Sequence, residues 1–185
     1  MIQEAYGQLK EGYFENAVEA FSECLLLEPR EAKIYTGRGM AHFQLQKWAL
    51  AAADFEKAKA LDPDDPENSI GFAMSLAMEN KIYEAIDVFE ALIKRNPHYV
   101  RAHIQLAQLY YRLGVITKGH RQLDAASASR PSLAERRTIE QLKKEQLTLD
   151  KRRHYRPDFE ALRHQNRISS GKFFSKLRSL FGKNS

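Results

Sequence analysis

The sequence predicts an all-α protein built from four repeated helix pairs. Pro29, Pro63, Pro97 and Pro131 are equally spaced along the chain. Small and large apolar residues recur at fixed distances before each proline, and the apolar positions within a repeat follow the three-and-four spacing of one helix face. Because a fixed period of about 20 to 50 residues is typical of repeat architectures, these observations predict a helical solenoid.

Four positions of the repeat keep their register with the prolines. A small residue stands twelve residues before each proline and a large apolar residue eight before it, and two further columns lie five and 24 residues before it. We expect the small residues to lie where two helices approach closely and the large ones to fill the space between them. The columns are Ala17, Ala51, Ala85 and Gly119; Phe21, Phe55, Phe89 and Leu123; Cys24, Ala58, Leu92 and Ala126; and Ala5, Gly39, Ala73 and Ala107.

Each proline is expected to end a helix, because it has no amide hydrogen and disfavours helical geometry in the residue before it. After Pro63, Asp65 is placed to cap the next helix, with Pro66 at that helix's first position. A second break, at 10–12, 46–47, 79–81 and 113–114, divides each repeat into two helices.

This pattern resembles the tetratricopeptide repeat. The resemblance implies a right-handed stack of antiparallel helix pairs, with repeats at about residues 1–29, 30–63, 64–97 and 98–131. The fourth repeat departs from the pattern at Gly119 and Leu123, and we expect its second helix to pack more loosely. The defining residues of the family are packing residues, so the resemblance predicts the fold and says little about function.

Three further segments follow the repeats. Ser132 and Glu135 form a capping box at the start of a predicted capping helix over residues 132–152. Residues 153–170 are expected to be a flexible basic linker, and residues 171–183 predict a basic amphipathic helix. The apolar side chains of the capping helix are expected to cover the end of the stack; they are Leu133, Ile139, Leu142 and Leu149. The last predicted helix has one apolar stripe, formed by Phe173, Phe174, Leu177, Leu180 and Phe181. The basic residues around that stripe are Lys172, Lys176, Arg178 and Lys183.

Composition excludes several classes of protein. No run of about 18 apolar residues exists in the 185 residues, and the first residues do not form a signal peptide, so no membrane span is expected. The single cysteine, Cys24, excludes an internal disulfide and a multi-cysteine zinc site. We expect a cytoplasmic protein, with peripheral attachment to the inner membrane surface as an open alternative.

Motifs of catalysis and metal binding do not occur in the sequence. It contains no phosphate-binding glycine loop, no His-Glu-x-x-His and no Gly-x-Ser-x-Gly, and the six histidines form no i, i+4 pair. Asp62, Asp64 and Asp65 suit helix capping better than a cation, and the stretch 37–39 indicates close helix packing rather than a dinucleotide site. We therefore expect no enzyme, no metal and no cofactor.

The resemblance also implies a groove, lined by the first helix of each repeat, that holds a peptide or a partner helix. Three of the four methionines fall among the groove positions, and this flexible side chain suits an apolar ligand, although methionines also fill gaps between helices. The groove positions are Tyr6, Lys33, Thr36, Gly37, Met40, Ile70, Gly71, Met74, Met78, Ile104, Gln105, Gln108, Tyr111 and Arg112.

One subfunction of the family can be compared residue by residue. Members that bind the acidic carboxyl-terminal tails of heat-shock chaperones hold the carboxylates with lysine, asparagine and arginine side chains. The matching positions of this chain are Ile2, Tyr6, Gly37, Glu67 and Gly71, none of which can serve as such a clamp. We therefore expect no role as a co-chaperone of that kind.

Charge is divided unevenly along the chain. Residues 1–131 carry 15 Lys and Arg against 18 Asp and Glu, a net charge of −3, whereas residues 132–185 carry 14 against 6, a net charge of +8. The predicted function is a non-catalytic adaptor that binds a protein segment in the groove. Its basic tail would meet an anionic membrane or a partner, or would dock in its own groove or a neighbour's as an autoinhibitory latch or oligomerisation arm. Nucleic acid is not expected, because stacking aromatics would alternate with basic residues rather than share one apolar face.

Overall fold

A computed structural model describes the backbone of residues 1–154 and the side chains of residues 1–149. The chain divides into two units, Met1–Glu140 and Gln141–Ser185. Residues 1–154 form nine helices and no strand, which confirms the predicted all-α fold. The helices are α1 (Ile2–Glu11), α2 (Phe14–Leu27), α3 (Ala32–Gln44), α4 (Trp48–Leu61), α5 (Pro66–Met78), α6 (Ile82–Arg95), α7 (Val100–Arg112), α8 (Ile116–Ala128) and α9 (Leu133–His154).

Helices α1 to α8 pack in sequence order, each against the next, and α3 also contacts α1 and α5. The break inside each helix pair falls at one repeat position, where a residue adopts a left-handed conformation: Gly12 (φ 89°), Gln46 (φ 57°), Asn80 (φ 66°) and Gly114 (φ 73°). Glycine and asparagine tolerate this conformation better than other residues. The predicted helix breaks are thus confirmed, and the same turn occurs once in each of the four repeats.

Helix starts follow the predicted capping chemistry. Asp65 Oδ1 accepts a 2.9 Å hydrogen bond from the Glu67 amide, and Pro66 is the first residue of α5. The Ser132 amide donates to Glu135 Oε2 at 2.8 Å, and the Glu135 amide donates back to Ser132 Oγ at 3.3 Å. Both motifs satisfy amides that a helix leaves without an intrahelical partner.

The four repeat columns form the core of the first unit, because all sixteen of their residues are buried. Phe21 and Leu123 are fully buried, and Phe89 is 1% exposed. Glycines let two of the large side chains sit between repeats. A Cβ on Gly37 would lie 2.3 Å from the ring of Phe21, and one on Gly71 would lie 2.4 Å from the ring of Phe55. The predicted close packing at small residues is confirmed.

Two packing expectations were wrong. In the fourth repeat, the ring of Tyr111 fills the space that Gly119 leaves, since a Cβ there would lie 2.3 Å from the ring; α8 therefore packs closely. In α9, Ile139 is 3% exposed, whereas Leu133 is 67% exposed. Six residues turn a helix by about 240°, which places these two side chains on different faces. Leu149 is also largely exposed.

Helix α9 continues to His154, the last residue whose backbone the structure describes, and therefore includes the first two residues of the predicted linker. The rest of that linker, residues 155–170, lies outside the described residues. So does the predicted amphipathic helix over residues 171–183.

A partly buried charged cluster links α2, α3 and α4, and no pattern in the sequence predicted it. Arg38 donates from Nη2 to Asp54 Oδ1 at 2.7 Å and from Nε to Oδ2 at 3.0 Å, and its Nη1 donates to Ser22 Oγ at 3.2 Å. Asp54 is 5% exposed. The hydrogen bond to Asp54 raises the pKa of Arg38. Such a two-pronged pair fixes the relative position of the helices that carry it.

His42 borders this cluster. It is buried, its Nε2 lies 3.7 Å from Asp54 Oδ2, and its Nδ1 has no hydrogen-bond partner. Burial lowers the pKa of His42 below its usual value of 6.5; the charge of Asp54 opposes this shift, and Arg38 and Lys47 add to it.

We expect Gly71→Ala to destabilise the protein by about 1–3 kcal/mol, because the new Cβ overpacks against Phe55. Gly7→Ala is the matched control, since Gly7 is also helical and nothing lies within 4 Å of a Cβ at that position. That variant should be about 0.5–1 kcal/mol more stable than the wild type. Urea unfolding followed by circular dichroism measures both, and equal midpoints for the two variants would contradict the packing described.

We expect stability to depend on pH through His42. Because its pKa is lower in the folded chain than in the unfolded chain, the unfolded state binds more protons as the pH falls. The free energy of unfolding should therefore be highest above pH 6.5 and decrease as the pH drops below that value. Unfolding titrations over this range should show a flatter pH slope for His42→Gln. The control His98→Gln, at an exposed position, should keep the wild-type slope; an unchanged slope in both variants would argue against this role for His42.

Candidate functional site

An open cavity of about 230 Å³ lies between α3 and α5 in the first unit. Most of its surface is apolar, and its walls come from α3, α4, α5 and α7. Of the predicted groove positions, the structure brings together Thr36, Met40, Ile70, Gly71 and Met74 here. The other lining residues are Phe43, Gln44, Phe55, Glu67 and Arg101.

The apolar part of the cavity depends on a missing side chain. Because Gly71 has no Cβ, the ring of Phe55 reaches from α4 across to α5 and forms part of the wall. Met40 is 44% exposed, whereas Ile70 is almost fully buried. Met40 and Met74 thus contribute flexible side chains to the cavity wall, and these can adapt to an apolar group.

Glu67 and Arg101 form the polar rim of the cavity, and Glu67 accepts hydrogen bonds from two residues there. Arg101 Nη1 donates to both Glu67 carboxylate oxygens, at 2.5 and 2.6 Å, and the Tyr99 hydroxyl donates to Oε1. Burial raises the pKa of Tyr99 to about 12, and the hydrogen bond to Glu67 and its charge add to this shift. The tyrosine therefore stays a neutral donor, and these contacts tie α5 to α7.

Thr36 has a structural task as well as a place in the cavity wall. Its hydroxyl donates to Asn68 Oδ1 at 2.6 Å, and Asn68 Nδ2 donates to the Asp62 carbonyl at 3.4 Å. Asn68 is fully buried. This pair links α3 to α5 directly beside the cavity.

The first-repeat candidate lies apart from the cavity. The ring of Tyr6 packs edge-on against Phe21, with centroids 5.0 Å apart and an interplanar angle of 80°. Its hydroxyl donates to the Lys33 carbonyl at 2.7 Å. Burial raises the pKa of Tyr6, with smaller effects from Glu31 and Asp65. Lys33 itself is exposed.

The candidates near the other end of the repeats also lie outside the cavity lining. Ile104 is 5% exposed and belongs to the core, and the Tyr111 ring packs on Gly119. Arg112 Nη1 donates to the Ala77 carbonyl at 3.4 Å, beside the half-exposed Met78. Gln105 and Gln108 are half-buried on α7.

Five lining residues were not among the predicted groove positions: Phe43, Gln44, Phe55, Glu67 and Arg101. A signal for the ion pair was present, because Glu67 and Arg101 stand 34 residues apart. They share one repeat position with the predicted Lys33. The 34-residue period therefore assigns both residues to the groove.

The described residues contain neither a metal centre nor a membrane span. Among residues 1–154, no group of three or more His, Cys, Asp or Glu side chains is arranged to hold a metal ion. None of the helices over that range combines the length and the apolar composition needed to cross a bilayer. The one cysteine, Cys24, is buried as a free thiol.

Comparison with known proteins agrees with the fold. The "TPR repeat-containing thioredoxin TTL4" of Arabidopsis thaliana is 30% identical over 106 residues, which are 57% of this chain and 15% of that protein. The mouse "Sperm-associated antigen 1" is 33% identical over 86 residues, or 46% of this chain and 9% of that protein. The chain thus spans less than a sixth of the length of these relatives.

Solved structures resemble the chain in the same way. A crystal structure of the MamA protein has a TM-score of 0.64 at 18% identity and covers 69% of this chain and 70% of its own. The first tetratricopeptide domain of Spaghetti (RPAP3), bound to the HSP90 peptide SRMEEVD, has a TM-score of 0.57 at 21% identity and covers 60% and 89%. At these identities the likeness concerns the fold alone.

Family sequence profiles described as "Tetratricopeptide repeat" match residues 2–66 and residues 76–138. Together the two matches span more than half of the chain, and they agree with the stacked helix pairs and the recurring turn described above. The chain belongs to the tetratricopeptide repeat family.

Proposed function

We propose that this protein is a non-catalytic adaptor that holds a segment of a partner protein in a groove along α1, α3, α5 and α7. The observation that carries the proposal is the apolar cavity between α3 and α5, where Met40 is 44% exposed. An apolar concavity with a few polar groups at its rim is the usual form of a binding site. The peptide-bound RPAP3 domain, which shares the fold, supports a peptide as the kind of ligand.

The ligand differs from the acidic carboxyl-terminal tails that chaperone-binding members hold. Two of the clamp positions are glycines, Gly37 and Gly71, each covered by a phenylalanine ring. A third is Glu67, whose carboxylate would repel a terminal carboxylate. We therefore expect the segment to be recognised by its side chains rather than by its carboxyl terminus.

We expect Met40→Glu to weaken capture of the partner at least tenfold, because the variant places a charge at the mouth of an apolar cavity. Leu26→Glu is the matched control: it makes the same kind of change at a side chain that is 84% exposed and does not line the cavity. The measurement is affinity capture from lysate with quantitative mass spectrometry of the retained proteins. Loss of the same proteins with both variants, or with neither, would argue against the groove.

We further propose that residues 171–183 attach the adaptor to an anionic membrane surface. Phe173, Phe174 and Leu177 begin an apolar stripe at helical spacing, with lysines and an arginine around it. A helix of about 12 residues is marginal by itself in water and becomes ordered against an apolar surface. Basic residues beside such a stripe favour anionic lipid.

Phe174→Glu combined with Leu177→Glu should abolish cosedimentation of the full chain with phosphatidylserine-containing liposomes. The control Ser175→Glu with Ser179→Glu adds the same charge on the opposite face of the predicted helix and should retain most of the binding. Unchanged sedimentation of the first variant would defeat the membrane proposal. The alternative, in which the tail occupies its own groove or a neighbour's, instead predicts that deleting residues 169–185 raises partner affinity or dissociates a dimer.

A further inference from the structure

The first two repeats share one packing arrangement, in which a phenylalanine ring lies on a glycine of the next repeat, and they differ in the residue beside that ring. Phe21 and Phe55 occupy the same position of successive repeats, as do Gly37 and Gly71, and in each case the ring lies on the glycine of the following repeat. The two repeats differ at one position of their first helix, which is Tyr6 in the first repeat and Met40, 34 residues later, in the second.

In the first repeat, the chain fills this site itself. The Tyr6 ring stands edge-on to Phe21 at a centroid distance of 5.0 Å, and its hydroxyl donates to the Lys33 carbonyl. An edge-to-face pair of this kind is a favoured aromatic geometry.

In the second repeat, the corresponding space is open. Phe55 takes the position of Phe21, but Met40 replaces the tyrosine, and the cavity of about 230 Å³ lies there with Phe55 and Met40 in its wall. This volume is below the roughly 300–1,000 Å³ of small-molecule sites, so it suits one large side chain better than a cofactor.

We propose that this cavity receives one aromatic side chain of the partner segment, which packs against Phe55 as Tyr6 packs against Phe21. The inference rests on the proposed function, since it names the anchor by which the groove holds its ligand. An aromatic ring buries a large apolar area at a small cost in conformational entropy, which makes it an effective anchor.

The rim of the cavity carries both signs of charge. Arg101 contacts Glu67 through Nη1, and its Nε and Nη2 have no acceptor among the described residues. Lys33 and Arg112 do not line the cavity. Asp65 stands two residues before Glu67 and acts electrostatically on Tyr99, so both signs of charge surround the cavity, and the anchor is selected by its apolar ring rather than by a neighbouring charge.

The test starts from a displayed library of random 12-residue peptides selected on the full chain. We expect the enriched peptides to share one aromatic residue. Changing that aromatic residue to Ala should weaken binding at least tenfold, whereas amidating the peptide's carboxyl terminus should leave affinity unchanged.

Methyl-labelled methionine locates the binding site, because the chain has four methionines. On addition of a selected peptide, the methyl NMR signals of Met40 and Met74 should shift, and that of Met1 should not. Enriched peptides that shift these two signals yet contain no aromatic residue would overturn this inference and leave the adaptor proposal standing. Failure to enrich any peptide that shifts them would overturn both.

A filling variant gives an independent check. In Met40→Tyr, the new tyrosine ring should fill the cavity that the partner's aromatic ring otherwise enters. The variant should therefore bind the peptide at least tenfold more weakly without a lower unfolding midpoint. Met78→Tyr, at a half-exposed position that does not line the cavity, is the matched control and should bind as the wild type does. Wild-type affinity in Met40→Tyr would overturn the proposal.

Discussion

The contact between a large ring on one repeat and a missing side chain on the next determines how the first three repeats stack. Phe21 can reach α3 only because position 37 has no Cβ, and Phe55 reaches α5 for the same reason at position 71. Tetratricopeptide arrays are stabilised by contacts between neighbours, so the spacing of adjacent pairs follows from what fits between them. The cavity also depends on this contact, because the ring that bridges two repeats forms part of its wall.

Polar contacts between helices also fix how neighbouring repeats are positioned. The Thr36–Asn68 hydrogen bond connects α3 with α5, and the carboxylate of Glu67 connects α5 with α7. Arg38 and Asp54 connect the two helices of the second pair. Asn68 and Asp54 are buried, and buried polar groups need partners to offset their desolvation, so these two pairs penalise a displaced helix more sharply than apolar packing does. The pair of Glu67 and Arg101 is exposed to solvent and contributes less.

The sequence predicted most of the fold and less of the site. Proline spacing, small residues and capping motifs are local or periodic signals, and they located the helices to within a few residues. Ile104 was assigned to the groove by the family orientation, yet it is 5% exposed and belongs to the core, whereas Thr36 and Ile70 at the same repeat position line the cavity. Arg38 and Asp54 lie on different helices, and no local pattern identifies a pair made by tertiary packing. The ring of Tyr111, a predicted groove residue, also fills the space that Gly119 leaves, a contact that no local pattern in the sequence indicated.

The walls of the cavity are drawn from helices of three successive repeats, from α3 to Arg101 on α7. In an array where each repeat depends mainly on its neighbours, a ligand held by all three contributes its binding free energy to their joint stability. A bound ligand would therefore make the second, third and fourth repeats unfold together. Local unfolding would then begin in the part of the array that the ligand does not contact. The bound ligand would thus determine which repeats stay folded and which unfold first.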